Sequence, residues 1–162
     1  MNKESYSLAA QLGESLSARS AKVTTAESCT GVGVAHAITA VPGSSQWFDC
    51  GFVTYSNDAK CRLLKVPAEV LQTHGAVSGE VVSAMASGAA HAAFAEFSVA
   101  ISGVAGPGGG SADKPVGTVW FAWHHPDGQV VECHHLPGDR KSVRDQAILV
   151  ALRGLLRLAS TV

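Results

Sequence analysis

Two short stretches of the sequence carry the side chains best suited to nucleophilic chemistry. The first, TTAESCTGVG at residues 24–33, leads from β-branched residues into a turn that holds Ser28 and Cys29. The second, YSNDAK at residues 55–60, places Lys60 within the first turn of an expected helix. A cation at the positive end of a helix is disfavoured by about 0.3–1 kcal/mol, and burial lowers the pKa of a lysine further. A lysine made neutral in this way can serve as a general base toward a serine hydroxyl. A solvated surface lysine is the alternative interpretation of the same residue.

The turn Glu27-Ser28-Cys29-Thr30-Gly31 admits more than one interpretation. Its backbone N–H groups can bind an anion or stabilise an oxyanion, but Ser, Thr and Gly before a helix are also ordinary capping residues. Cys29 is the better intrinsic nucleophile, and a helix N-terminus lowers the pKa of a thiol. A cysteine nucleophile usually works with a histidine base, and neither stretch contains a histidine. The available partner is a lysine, so if the turn carries a nucleophile Ser28 suits it better, and we expect Cys29 to be a packing residue.

A glycine-rich segment is the third candidate for a ligand site. GVAGPGGG at residues 103–110 follows an apolar run, and glycines permit close approach of the backbone to a ligand. Lys114, Arg140 or Arg144 could meet a phosphate there from neighbouring segments. A mobile surface loop is the alternative interpretation of the same composition.

Several familiar motifs are absent, and the histidine pairs do not suit a metal. The sequence contains neither GxxxxGK[ST] nor GxSxG, and Gly31-Val32-Gly33 lacks the third glycine of a dinucleotide fingerprint. A turn at residues 126–128 would separate His124 from His134 by roughly 13 Å along the strands, whereas the ligands of a metal lie about 2 Å from one ion. We expect no metal and no cofactor.

Composition bounds the class of protein. The 162 residues suffice for one domain over 1–162, and 12 basic against 13 acidic residues, with no basic block, give little support for nucleic-acid binding. No apolar run approaches the length of a membrane span, and the N-terminus is too polar for a secretory signal. The four cysteines lie far apart without a CxxC pair, which suits a reducing compartment. We expect a cytoplasmic protein with no membrane or nucleic-acid partner.

Hydrophobic periodicity predicts the elements that must position these residues. Helices are expected over 4–19, 31–40, 57–64, 67–75 and 78–94 and after Asp139, and strands over 22–26, 50–55, 97–102, 117–125 and 129–136. Strands that alternate with helices, together with one hairpin, predict a three-layer α/β/α sandwich with a mixed, mostly parallel sheet. Ligands bind at the carboxyl ends of the strands in such sheets, where the loops at 27–31, 55–60 and 103–115 are expected.

Several long motifs, in this order, resemble the CinA C-terminal domain family, the nicotinamide-nucleotide amidohydrolases. They are TTAESCTG, VPGSSQWF, GFVTYSNDAK, HGAVSGEVV and ISGVAGPGGGSADKPVGTVWFAW. The resemblance runs from about Leu8 to the last helix, and the chain looks like the stand-alone form of the family. It implies hydrolysis of the carboxamide of nicotinamide mononucleotide (NMN) by a homodimer, in pyridine nucleotide salvage. The products would be nicotinic acid mononucleotide and ammonia.

The same resemblance implies roles for individual residues. It assigns the nucleophile to Ser28, the base to Lys60 and a proton-relaying tyrosine to Tyr55, and we expect backbone N–H groups near Gly31 to hold the oxyanion. It also assigns a further set to the substrate pocket, with the two arginines as phosphate contacts: Glu27, Thr30, Gly31, Asn57, Gly106, Arg140 and Arg144. Val32 departs from the family, which usually has a second glycine there, and this puts substrate affinity in question more than reaction class.

Two other functions stay open from the sequence. One is a sensor that binds a pyridine nucleotide without turnover, because a fold and its pocket can outlast their chemistry. The other is an accessory module that binds a partner in DNA uptake or repair. The presence of Ser28, Tyr55 and Lys60 together favours the enzyme over both.

Overall fold

Helices and strands alternate along most of the chain. A computed structural model describes residues 1–161 of the protein. Within that range the strands are β1 (Val23–Glu27), β2 (Phe52–Val53), β3 (Phe97–Gly103), β4 (Thr118–His125) and β5 (Gly128–His135). The α-helices are α1 (Lys3–Ala18), α2 (Gly33–Thr39), α3 (Asn57–Leu64), α4 (Ala68–His74), α5 (Gly79–Ala93) and α6 (Arg140–Thr161), and a 3-10 turn covers Ser44–Gln46.

The described strands form one mixed sheet in the order β2-β1-β3-β4-β5. β1 pairs in parallel with both β2 and β3, whereas β4 runs antiparallel to β3 and to β5. Four of these five strands therefore point the same way, and β4 is reversed. Helices cover both faces of the sheet, which confirms the predicted three-layer sandwich.

Two apolar cores lie on opposite faces of the sheet because successive side chains of a strand point to opposite faces. Val99 and Ile101 of β3 pack into the core shared with α1, α2 and α6, and Ala100 between them packs into the core shared with α4 and α5. The start of α2 and the first turn of α3 thus lie on different sides of the sheet. Residues from these two helices can meet only at its carboxyl edge.

β2 is shorter than the strand predicted over 50–55, because it comprises only Phe52–Val53. Before it, the hydroxyl of Thr24 donates a 2.8 Å hydrogen bond to the carbonyl of Cys50, so that a side chain replaces the strand ladder there. After it, the next helix begins almost at once, since Ser56, with an extended backbone, is the N-cap of α3. The predicted strand was therefore too long at both ends.

Gly88 allows α5 to lie close to the end of α3. A Cβ at Gly88 would overlap the carbonyl group of Leu64, the last residue of α3. Leu64 lies one turn after Lys60, and both side chains are buried. The position of the lysine therefore depends on the close contact between these two helices.

The predicted hairpin of β4 and β5 is present, and its register separates the two histidine pairs. His124 lies opposite Gln129, and His134 lies opposite Val119. Among residues 1–161, no three His, Cys, Asp or Glu side chains are grouped so that they could hold a metal ion. No helix in the same range has the length and apolar character needed to cross a membrane.

Candidate active site

The structure brings Ser28 and Lys60 together at the carboxyl edge of the sheet. Ser28 directly follows β1, and Lys60 lies in α3, which follows the neighbouring strand β2. The Nζ atom of Lys60 lies 3.2 Å from Oγ of Ser28 and donates a 2.6 Å hydrogen bond to the carbonyl of Thr54. Together, these two contacts hold the amine of Lys60 beside the hydroxyl of Ser28.

Lys60 is a buried amine without an acidic partner. Only 1% of its surface is exposed, and none of the ion pairs among residues 1–161 includes it. Because burial penalises the charged form, it lowers the pKa of Lys60 from its ordinary value of 10.5. The neutral amine has a lone pair that can accept a proton from Ser28.

The side chain of Cys29 packs inside the protein, although the neighbouring residue Ser28 is partly exposed. Its side chain lies in the core shared with α1, α2 and α6, with 6% of its surface exposed. Burial raises the pKa of the Cys29 thiol to about 11, so that the thiol is protonated near neutral pH. Since the thiolate is the reactive form, this environment favours Ser28 as the nucleophile.

Glu27 holds the turn from within the fold. Its carboxylate accepts hydrogen bonds from the N–H groups of Val34 and Ala35 and from the hydroxyl of Thr30, at 2.8, 3.0 and 2.8 Å. Burial raises the pKa of Glu27, and these three donors act against that rise. Val32, the N-cap residue of α2, makes no side-chain capping bond, so Glu27 caps this helix instead. Glu27 and Thr30, both predicted to lie in the substrate pocket, are 1% exposed and bind each other. Their assignment to the pocket stays a prediction.

The N–H of Gly31 is bonded within the turn, so the oxyanion donors that we predict near Gly31 are neighbouring N–H groups. Its N–H donates a 2.9 Å hydrogen bond to the carbonyl of Ser28, and its φ of +66° closes the turn. Within residues 1–161, the N–H groups of Cys29 and Thr30 donate to no oxygen. Of the unbonded N–H groups in this turn, these two lie closest to Ser28 in the chain.

Arg140 joins the loops that follow β2 and β3. Its guanidinium donates 2.9 Å hydrogen bonds to the hydroxyl of Tyr55 and to the carbonyl of Gly106. Tyr55 is largely exposed, and its hydroxyl accepts from Arg140, which leaves its own proton free to donate. Three predicted site residues from different segments therefore meet at this point.

Two clefts border the first two turns of α6, and one of them also borders the turn after β1. One, of about 320 Å³, is lined by residues of the glycine-rich segment and the start of α6, including Ala105, Pro107 and Arg140. The other, of about 330 Å³, is lined by Thr30, Val32 and Arg144 among others. Both border predicted phosphate contacts and offer room for a ligand.

Asn57 is the predicted pocket residue that the structure places elsewhere. It is the first residue of α3 and lines a separate cleft together with Cys61 of α3 and Leu71 of α4. No hydrogen bond in the described residues joins its side chain to Ser28 or Lys60. Its assignment to the substrate pocket stays a prediction.

Sequence reasoning missed the carbonyl of Thr54 and the capping role of Glu27. The first could not be found from residue types, because a backbone carbonyl carries no sequence signal. The second had an indirect signal, since Val32 precedes α2 where a polar capping side chain is expected. A helix start without its own cap requires another acceptor for its N–H groups.

The fold and the site together define a class of protein: an α/β/α sandwich that presents a serine hydroxyl to a buried lysine amine at the carboxyl edge of its sheet. The chain belongs to the CinA C-terminal domain family, whose model matches residues 5–159. The resemblance seen in the sequence motifs is thereby confirmed.

Curated relatives and solved structures match this chain along nearly its full length. It is 56% identical over 153 residues to the nicotinamide-nucleotide amidohydrolase PncC of Pseudomonas putida, a match that covers 94% of this chain and 96% of that protein. It is 54% identical over 157 residues to the protein of the same name from Escherichia coli strain K12, covering 95% and 94%. The crystal structure of the competence/damage inducible protein CihA from Agrobacterium tumefaciens matches with a TM-score of 0.92 at 42% identity, covering 98% and 97%.

Proposed function

We propose that this protein is an amidohydrolase that converts NMN to nicotinic acid mononucleotide and ammonia, in pyridine nucleotide salvage. One observation carries the proposal: a buried, unpaired lysine amine lies 3.2 Å from a serine hydroxyl at the edge of the sheet. The names of the relatives from Pseudomonas putida and Escherichia coli support the same reaction and substrate.

The proposed reaction proceeds through an acyl-enzyme. Neutral Lys60 takes the proton of Ser28 as the hydroxyl oxygen attacks the carboxamide carbon. The N–H groups of Cys29 and Thr30 hold the oxyanion, and one such donor is worth about 3 kcal/mol. The proton on Lys60 reaches the leaving nitrogen through Tyr55, and ammonia departs to leave an ester on Ser28. Water, deprotonated by the same lysine, then attacks the ester and releases the acid, and Lys60 returns the proton to the oxygen of Ser28.

Arg140 and the glycine-rich segment hold the phosphate of the substrate in this proposal. Arg140 is bonded to the carbonyl of Gly106 and borders the 320 Å³ cleft, which places a cation beside the backbone of that segment. We expect Arg140→Ala to raise KM for NMN more than it lowers kcat, because a phosphate contact acts on the ground state and the transition state alike. Steady-state kinetics test this, and a lower kcat at unchanged KM would contradict it.

Ammonia release from NMN by the purified protein tests the proposed function, with Ser28→Ala as the matched control. We expect release by the parent and a loss of several orders of magnitude in the variant, whose fold should persist because Ser28 lies at the partly exposed edge. A parent that releases no ammonia would contradict the proposal. If NMN then still raised its Tm, a ligand sensor would be favoured.

We also propose that the enzyme acts in the cytoplasm as a homodimer. All four cysteines are free in the structure, which suits a reducing compartment. The molar mass from light scattering tests the dimer, and a monomeric mass at assay concentration would contradict it.

A further inference from the structure

Arg144 binds the backbone of the nucleophile turn. Its Nε donates to the carbonyl of Cys29 at 3.0 Å, and its Nη2 lies 3.4 Å from the carbonyl of Thr30. Among the ion pairs of residues 1–161, none includes Arg144. A guanidinium has a rigid fork of donors, and its contact with two successive carbonyls fixes the direction of both peptide groups.

Two glycines of the turn make room for this contact. A Cβ on Gly31 would lie 3.3 Å from Nη2 of Arg144, and a Cβ on Gly33 would overlap the side chain of Ile148. Residues four apart share one face of a helix, so Arg144 and Ile148 dock one face of α6 onto the turn. This contact accounts for Gly31-Val32-Gly33, which resembles part of a dinucleotide motif without being one.

The turn is therefore held from both sides. Glu27 binds it from within through the hydroxyl of Thr30 and the first N–H groups of α2. Arg144 binds it from α6 through two carbonyls. Among residues 1–161, no hydrogen bond joins either side chain to Ser28, so both act on the peptide groups that follow it.

The geometry of one peptide group links Arg144 to the reaction. In a trans peptide the C=O and the N–H point in opposite directions, and the bond between Cys29 and Thr30 is trans. Because the carbonyl of Cys29 points toward Arg144, the N–H of Thr30 points away from it. A cationic donor on the carbonyl also polarises the peptide group and strengthens its N–H as a donor.

We propose that Arg144 is a positioning residue that directs the N–H of Thr30 toward the reacting carbonyl and strengthens it as an oxyanion donor. The inference rests on the proposed amide hydrolysis at Ser28. It gives Arg144 a role different from the phosphate contact that the family resemblance implies. An oxyanion donor acts on charge that develops only in the transition state, so the effect falls on kcat.

Kinetics on two substrates test the proposal, because nicotinamide riboside lacks the phosphate of NMN. We expect Arg144→Gln to lower kcat about ten- to hundredfold on both substrates. This decrease should not exceed the decrease in kcat caused by removal of a direct oxyanion donor. The ratio of kcat/KM for NMN to that for the riboside should stay at the parental value. Arg144→Lys should not restore kcat, because a lysine keeps the charge but lacks the fork that binds two carbonyls.

Two results would overturn the proposal. If Arg144→Gln loses its preference for NMN over the riboside, Arg144 contacts the phosphate, as we expect for Arg140. If kcat keeps its parental value in a folded Arg144→Gln, the N–H of Thr30 does not depend on the arginine. Arg153→Gln is the matched control, because it makes the same charge change on α6 at a residue that pairs with Glu4, and it should keep parental kinetics.

A second reaction separates this inference from the proposed substrate. The burst of p-nitrophenol from p-nitrophenyl acetate reports acylation of Ser28 and should vanish in Ser28→Ala. If the parent releases no ammonia from NMN, the proposed function fails, and the burst still tests Arg144. A slower burst in Arg144→Gln than in Arg153→Gln supports the inference, and an equal burst overturns it.

Discussion

Lys60 combines a titratable amine with almost complete burial. An ammonium group without an acidic partner is costly to bury, and the hydrogen bond to the carbonyl of Thr54 offsets only part of that cost. The folded state therefore favours the neutral amine, which is the form that a general base requires. The burial of Lys60 thus lowers the stability of the fold and also provides the neutral amine that the proposed reaction requires.

Replacement of Lys60 should reveal this cost as a dependence of stability on pH. The unfolded lysine keeps its proton up to about 10.5, whereas the folded lysine loses it at lower pH. The unfolded state thus binds more protons in that window, and the free energy of unfolding of the parent rises with pH across it. We expect Lys60→Met to gain stability relative to the parent below the window, and to lose this advantage as the pH rises toward 10.5.

Urea unfolding at a series of pH values measures this difference. Lys3→Met, at an exposed lysine of α1, is the control. A difference between Lys60→Met and the parent that does not change with pH would show that Lys60 is charged in the folded protein. Lys60→Met should also be inactive, since it has no base.

Cys29 should be dispensable for turnover. Its thiol is buried and its pKa is raised to about 11, so we expect Cys29→Ala to hydrolyse NMN at close to the parental rate. The lost sulfur leaves a small cavity beside α6, and a decrease in stability of about 1 kcal/mol is expected. Ammonia release and thermal unfolding measure the two effects. A folded but inactive Cys29→Ala would move the nucleophile from Ser28 to the thiol.

At the scale of elements, α2 begins without a capping side chain of its own. The carboxylate of Glu27, at the end of β1, accepts from the second and third N–H groups of the helix. The strand and the helix are thereby joined across the turn that carries Ser28. A rigid turn keeps the serine hydroxyl in place and holds the peptide groups that donate to the oxyanion in the proposed reaction.

Loss of this cap should destabilise the protein strongly. Glu27→Ala leaves the N–H groups of buried Val34 and half-buried Ala35 and the hydroxyl of Thr30 without their acceptor. Each unsatisfied buried group costs about 1–3 kcal/mol. We expect a decrease of more than about 2 kcal/mol in the free energy of unfolding. Urea unfolding measures it, with the exposed Glu14→Ala as control. A loss no greater than that of the control would exclude a capping role.

The contact between α3 and α5 gives a second prediction for the elements. Gly88→Ala would place a methyl group against the carbonyl of Leu64, so the helices must separate, at a cost of about 1–3 kcal/mol. Because α3 carries Lys60, we expect kcat to fall as well. Unfolding and steady-state kinetics measure the two effects together. Parental turnover in a destabilised Gly88→Ala would show that the lysine keeps its place when α3 shifts.

At the scale of the whole molecule, the order of the strands explains why the site could be predicted. β1 and β2 are neighbours and parallel, so the loops after them meet at one edge of the sheet. The local sequence was sufficient for α3, where Ser56 caps a helix with the predicted bounds 57–64. The family resemblance implied that Ser28 and Lys60 act together, and these two features explain why the fold brings them close.

What the sequence did not predict depends on contacts between distant segments. Nothing near Gly31 in the chain indicates that its N–H closes the turn onto the carbonyl of Ser28. The link from Arg140 to Tyr55 joins residues 85 positions apart. The short β2 likewise reflects a hydrogen bond from Thr24 that competes with the strand ladder. Such contacts require the packed fold, because no local pattern encodes them.

The two ends of α6 have different neighbours. Arg140 and Arg144 lie in its first two turns beside the clefts, while near its far end the carbonyl of Ala159 accepts a hydrogen bond from Arg19 just after α1. A helix of 22 residues is about 33 Å long. A purification tag or surface tether fused beyond Thr161 would therefore lie at the end of α6 that is far from the two clefts. Immobilised protein should still admit small molecules freely.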